Sequence, residues 1–221
     1  MFKSSWYVVL GLLSACSGCS GMAMRAPADV AAQSEPLSAS DRHSWGVNKG
    51  RSSFSMGPYR IDDVAREPVR QTGYSVFGFG NQRVLTGYAY AFSDGSSHRE
   101  GHCAQEQGKP TTSYSGKLAC RCGAPGKDTF TVDIGADAKE GTLTLSGQTY
   151  RMSPLHERES GHKSDEPLGY RIDGAQPLGA VELEGRVWTQ RGLSEDTRAQ
   201  LVCMLSGLML VRPVTYQRPT R

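Results

Sequence analysis

Long apolar runs are almost absent from this 221-residue chain, and only one stretch, near the N-terminus, is apolar enough to engage a bilayer by itself. A polytopic helical membrane protein is thereby excluded. Charge of one sign is equally scarce, with 25 Lys+Arg against 22 Asp+Glu and a formal net charge of +3. So small an excess, spread over the chain, leaves no footprint for nucleic acid. Familiar catalytic signatures are missing too: there is no P-loop and no G-x-S-x-G, and Gly78-Phe79-Gly80 lacks the third glycine and following helix of a dinucleotide loop. Ser160-Gly161-His162-Lys163 matches S-x-x-K, but no S-D-N or K-T-G partner accompanies it and the segment reads as exposed loop. Glycine, at 26, and proline, at 11, suffice for many turns yet are too few and too scattered for a low-complexity chain.

What is present begins with an address. Residues 1–16 read MFKSSWYVVLGLLSAC, with Lys3 as the only charge, an apolar run from Trp6 to Leu13, and two small residues before a cysteine. That is the three-part layout of a secretory signal, with an apolar run too short for a permanent span. Leu13-Ser14-Ala15-Cys16 resembles the lipobox of bacterial lipoproteins. The resemblance implies removal of residues 1–15, lipidation of Cys16 as the mature N-terminus and, because Ser17 rather than Asp follows it, release to the outer membrane. Residues 16–49 are rich in Ser, Ala, Gly and Pro without sustained apolar periodicity, so the expectation is a flexible tether holding the domain roughly 30 Å from the bilayer.

From residue 50 to 221 the recurring signal is period two, expected of one β-rich domain. Tyr88, Tyr90 and Phe92 alternate with Gly87, Ala89 and Ala91, and Phe130, Val132 and Ile134 alternate with Thr129, Thr131 and Asp133. Leu143 to Met152 reads as a hairpin closed at Ser146-Gly147. Leu168–Ile172, Leu178–Leu183 and Arg186–Thr189 are separated by the turn dipeptides Asp173-Gly174 and Glu184-Gly185. With Phe54–Met56, Tyr74–Phe79 and Lys117–Cys122 the expectation is roughly ten strands in an antiparallel barrel or sandwich.

One segment breaks the alternation. Ser194-Glu195-Asp196 supplies a cap and two acids for a helix start, Pro213 a stop, and Leu201 to Val211 is apolar apart from Ser206 and Gly207. A helix apolar all round must be buried all round, which a sheet wrapped about it would achieve. The alternative is a short helix, a break at Ser206-Gly207 and a buried last strand over Leu208–Val211. The order Leu168-Gly169-Tyr170-Arg171-Ile172-Asp173, Ala180-Val181-Glu182-Leu183, Gly185-Arg186-Val187-Trp188, then an acid-capped apolar helix, resembles the ends of uncharacterised proteobacterial lipoproteins similar to the tubby, scramblase and LURP-one group. That resemblance implies a β-barrel around a hydrophobic C-terminal helix.

Cysteine and histidine supply the remaining candidates. Cys103, Cys120, Cys122 and Cys203 lie in the body of the chain, and an exported compartment favours disulfides. Cys120 and Cys122 share a strand face and do not bridge each other without a kink, so Cys103 is expected to pair with one of them. Cys203 is either a buried thiol or a bond from helix to strand. A zinc site drawn from His98, His102, Cys103 and the two thiolates of Cys120-Arg121-Cys122 has the wrong spacing for the familiar hooks, and His156 and His162 flank a polar loop. Asp62-Asp63, Glu182 with Glu184, and Asp133 with Asp137 are carboxylate pairs, of which Glu182 and Glu184 are expected on a solvent face. Tyr74, Phe77 and Phe79 could join Tyr88, Tyr90 and Phe92 around a ligand, though such a face is ordinarily core. No catalytic residue, metal or cofactor is expected. The sequence points instead to a lipid-anchored lipoprotein of the cell envelope, facing the periplasm and attached to the membrane through its N-terminal lipid. Its expected role is a non-enzymatic interaction or structural module for an envelope protein, or alternatively a lipid or amphiphile carrier or sensor.

Overall fold

Alternating segments do become strands, and the unbroken apolar segment becomes a helix inside them. The computed structural model describes residues 23–40, 52–66, 70–73, 82–109, 115–123, 131–134 and 140–210. Its elements begin with α1 (Ala28–Gln33), β1 (Ser34–Ser40), β2 (Ser52–Met56), β3 (Tyr59–Arg66), β4 (Arg70–Gly73) and β5 (Gln82–Ser93). They continue with β6 (His98–Lys109), β7 (Ser115–Gly123), β8 (Thr131–Ile134), β9 (Gly141–Leu145) and β10 (Gln148–Leu155). β11 (Gly169–Asp173), β12 (Pro177–Glu182), β13 (Arg186–Gln190) and α2 (Glu195–Leu210) complete the order. The mainly β architecture with one C-terminal helix agrees with the sequence; the candidate strand Tyr74–Phe79 lies outside the described residues.

The strands form a 13-stranded sheet in the order β3-β2-β1-β13-β12-β11-β10-β9-β8-β7-β6-β5-β4, and β3 pairs in addition with β5. β3 and β4 share one edge of β5, with β3 along Tyr88–Ser93 and β4 along Gln82–Leu85. β3, at one end of the order, thus also pairs with the strand next to the other end, and the sheet curves round α2 as the wall of a barrel or sandwich. α2 touches β6, β7 and β9 on one side and β3, β12 and β13 on the other.

Each wall strand follows from its alternation. Tyr88, Tyr90 and Phe92 point inward and are buried, while Leu85, of opposite parity, is exposed. The β9–β10 hairpin turns at Ser146 and Gly147 with φ of 50° and 80°, the two left-handed residues that a tight two-residue turn demands. Leu143, Leu145 and Met152 face the core from that hairpin. β6 was hidden from sequence reading because few apolar residues mark it: HREGHCAQEQGK puts Arg99, Gly101 and Cys103 inward. Its inner face is lean because β5 fills the space. Gly101 lies opposite Tyr90, and a Cβ there would come within 1.9 Å of the Tyr90 ring.

α2 settles the alternatives at the end of the chain in favour of one continuous helix through Leu210. Ser194 Oγ accepts a hydrogen bond from the Thr197 amide at 3.3 Å, as its capping position predicts. Every residue from Leu201 to Met209 is buried. At about 1.5–3 kcal/mol for each large apolar side chain, this helix is a main part of the stabilising burial. Gly207, which reads as a break in the sequence, is instead a point of close approach: a Cβ there would meet Cys103 Sγ and Tyr90 Oη at 2.7 Å.

A correction concerns residues 16–49. They read as a tether, yet 28–33 form α1 and 34–40 form β1, which pairs with β13 from Ser34↔Gln190 to Ser38↔Arg186 and continues onto β2. The domain therefore starts by residue 23, not near 50. The physical reason is that this stretch needs little apolar surface of its own, because it borrows a face from β12 and β13. Met24 and Val30 pack on Ala180 and Trp188 as a small second core outside the barrel.

Candidate functional site

Two clusters stand out, one inside the wall and one outside. Inside, β6 and β7 are in register with Cys103 opposite Cys120 and Gly101 opposite Cys122. Cys103 and Cys120 stand at disulfide distance with Cα atoms 4.0 Å apart, and Cys122 stands at disulfide distance from Cys203 of α2 with Cα atoms 6.2 Å apart. Of the two partners left open for Cys103, Cys120 is the one at disulfide distance. Cys203 is the tie from helix to strand and not a plain thiol, because α2 passes directly beneath β7. Tyr90 completes the cluster by donating its hydroxyl to the Cys203 carbonyl at 2.8 Å, and burial pushes that hydroxyl's pKa well above its ordinary value. Burial also pushes Tyr170 up to about 12.

Outside, Glu182 ends β12 and Arg186 begins β13, directly opposite each other across the Leu183–Gly185 turn. Glu182 had been expected on a solvent face; it is on the outer face but only 3% exposed, because the chain at Met24 covers it. The Met24 amide donates to Glu182 Oε1 at 2.6 Å, and Arg186 Nη2 donates to the Met24 carbonyl at 3.0 Å. Arg186 also donates from Nε to Glu182 and from Nη1 to Glu159 at 2.9 Å, and its guanidinium lies 5.1 Å over the Trp188 ring. Bonding to Glu182, opposed by burial and aided by Glu159, holds the Arg186 pKa above its usual value. Gly169 leaves room for the Met24 thioether, which a Cβ there would meet at 2.4 Å. Two backbone bonds extend the seat: Arg25 N to Glu157 O and Glu159 N to Ala23 O, both 2.8 Å.

A third node joins the β5–β6 turn to the start of α2. Arg99 donates to Asp94 at 2.8 Å and to Asp196 at 2.6 Å, and its guanidinium lies 6.0 Å from the Phe92 ring, which Tyr59 stacks at 5.4 Å. Burial alone would raise the Asp94 pKa, but hydrogen bonds from Arg99, Ser97 and Ser96 outweigh it and hold the carboxyl far below the usual range.

The remaining sequence candidates do not converge. Cys103, Cys120 and Cys122 are occupied with sulfur partners, which removes the thiolates that a zinc site would use. His98 and His102 sit on the exposed side of β6, with His102 Nε2 3.8 Å from Glu100. His156 Nδ1 is 3.0 Å from Ser164 O, and His162 Nδ1 is 3.3 Å from Ser160 Oγ. Ser160 and Lys163 belong to an exposed turn at Gly161, φ +85°, which gives Ser160 no buried base. Asp62 is held by Arg60 Nε at 2.7 Å. Tyr88, Tyr90 and Phe92 face α2 as core. Asp137, Phe77, Phe79 and Cys16 lie outside the described residues. Among the described residues no helix is long and apolar enough to cross a membrane. The chain matches no family model, no curated protein and no solved structure.

Proposed function

We propose that the chain is a lipid-anchored envelope lipoprotein whose barrel serves as a non-enzymatic interaction or structural module. The observation that carries the module reading is the filled interior: α2 occupies the space inside the wall and is tied to it through Cys122 and Cys203. An acyl chain seeking that space would have to displace a helix buried on all sides, which weighs against a carrier. A helix enclosed by strands is the fold that the resemblance to the tubby, scramblase and LURP-one group implies, although a fold by itself assigns no activity. Support for the anchor comes from Leu13-Ser14-Ala15-Cys16 behind an apolar run, and for the outer membrane from Ser17. At about 0.8 kcal/mol per buried methylene, several acyl chains hold a protein at a bilayer permanently.

The test is expression of the full chain in a bacterium. The purified protein should carry acyl mass on Cys16 and sediment with membranes, and Cys16→Ala should release it without changing the circular dichroism of the barrel. Native mass spectrometry and fluorescent fatty-acid titration should then find no passenger. A bound lipid in stoichiometric amount would replace the module reading with the carrier reading.

A further inference from the structure

The docking of Met24 changes where a lipid anchor must hold this domain. We propose that the barrel end carrying residues 156–166 is held nearer the bilayer than the opposite end, an inference that rests on the lipid-anchor reading. Only seven peptide steps separate Cys16 from Ala23, so whatever conformation residues 16–22 take, Ala23 lies within about 25 Å of the lipidated Cα at roughly 3.6 Å per residue. Ala23 is not free to wander from the barrel. Its carbonyl accepts from the Glu159 amide at 2.8 Å, and both backbone polar groups of Met24 are taken up by Glu182 and Arg186. The anchor therefore attaches to one defined place on the wall.

That place is at one end. The loop 156–166 leaves β10 after Leu155 and enters β11 at Gly169, and Glu182 and Arg186 flank the neighbouring β12–β13 turn at the same end. The β9–β10 turn at Ser146-Gly147, the β11–β12 turn at Gly174 and the start of α2 lie at the other end. β11 has five residues, so the ends are separated by about 13 Å of strand at 3.3 Å per residue.

The loop 156–166 is not basic. Residues 156–166 contain Arg158 and Lys163 against Glu157, Glu159, Asp165 and Glu166. This loop offers anionic lipid no net attraction, so on the proposed reading the orientation comes from the covalent leash and resists salt.

The experiment uses the full, lipidated chain in phosphatidylethanolamine–phosphatidylglycerol vesicles carrying a rhodamine lipid. A clickable amino acid bearing a donor dye replaces Lys163 in one protein and Ala175, in the far turn, in another; both positions are exposed. Energy transfer to the bilayer should be several-fold stronger from 163, should keep that order in 1 M salt, and should level when about 20 Gly/Ser residues are inserted between Ser20 and Gly21. Met24→Asp, which undocks the segment while keeping the lipid, should level it as well. Equal transfer from the two positions in a lipidated protein, or stronger transfer from 175, overturns the inference and leaves the anchor reading standing. A chain without acyl mass that stays in the supernatant sinks both.

Discussion

The two clusters, one on each side of the same wall, are held by different physics. Inside, α2 is secured by area: Leu201, Met204, Leu205 and Leu208 are fully or almost fully buried, and a sulfur tie adds to them. Outside, the 23–33 segment is secured by specific contacts: one methionine in the space left by Gly169, one valine in the cluster with Ala180 and Trp188, an ion pair that satisfies a single residue's amide and carbonyl, the backbone bonds to Glu157 and Glu159, and Asp29 held by Arg171 at 2.7 and 2.9 Å. Area is distributed, so it fails gradually. A seat of few contacts fails when one is removed. Inner damage should consequently be felt by the whole domain, and outer damage should stay local.

The comparison breaks most severely at Cys203. Cys203→Ser removes a closure spanning 81 residues, worth about 4 kcal/mol in the chain-entropy model, and should lower the denaturation midpoint seen by both near-UV and far-UV dichroism. Next in size, Met24→Ala should cost about 2–3 kcal/mol at the outer seat and speed proteolysis within residues 25–33 by at least tenfold, while the midpoint of the barrel moves little. An equal drop in global stability would show that the outer seat belongs to the same cooperative unit as the core.

Acid sharpens the comparison at the third node. The Asp94 pKa is depressed below the ordinary carboxyl value of 3.8, so its stabilising contribution is complete above that value and is lost as pH falls further through the depressed range. Arg99→Met should therefore lower stability at pH 7 and flatten its decline below pH 4, read from urea midpoints along a pH series. Smallest of all, Ser206 Oγ is buried without a hydrogen-bond partner among the described residues, and Ser206→Ala should be neutral or raise stability by up to about 1 kcal/mol, which differential scanning calorimetry can resolve.

The inner region was legible in the sequence because burial by area leaves a compositional trace. Leu201 to Val211 could not be a surface helix, Tyr88, Tyr90 and Phe92 could not all face water, and Ser146-Gly147 between alternating segments could hardly be anything but a turn. β6 and β1 left no such trace. β6 presents Gly101 and Cys103 where its neighbours present rings, so the core volume had already been supplied by Tyr90. β1, SEPLSAS, is a strand because β13 and β2 flank it, and its own pattern contains one leucine. The outer seat was hidden for a further reason: Met24 and Glu182 are 158 positions apart, and nothing local marks either. One signal was within reach. Glu182 and Arg186 stand symmetrically about the Glu184-Gly185 turn, so a hairpin already inferred there places them face to face as opposite charges.

The spacing of the two cysteine pairs imposes an order on the history of each molecule. Cys103 and Cys120 are 17 positions apart on neighbouring strands and can join as soon as that stretch is extended and oxidised. Cys122 must wait for Cys203, and for α2 to have entered the wall. A chain halted anywhere before residue 203 lacks the partner that Cys122 has in the finished fold, so a free thiol at that position marks an unfinished molecule. Any quality-control factor that reads free thiols would be reading whether the barrel has received its helix.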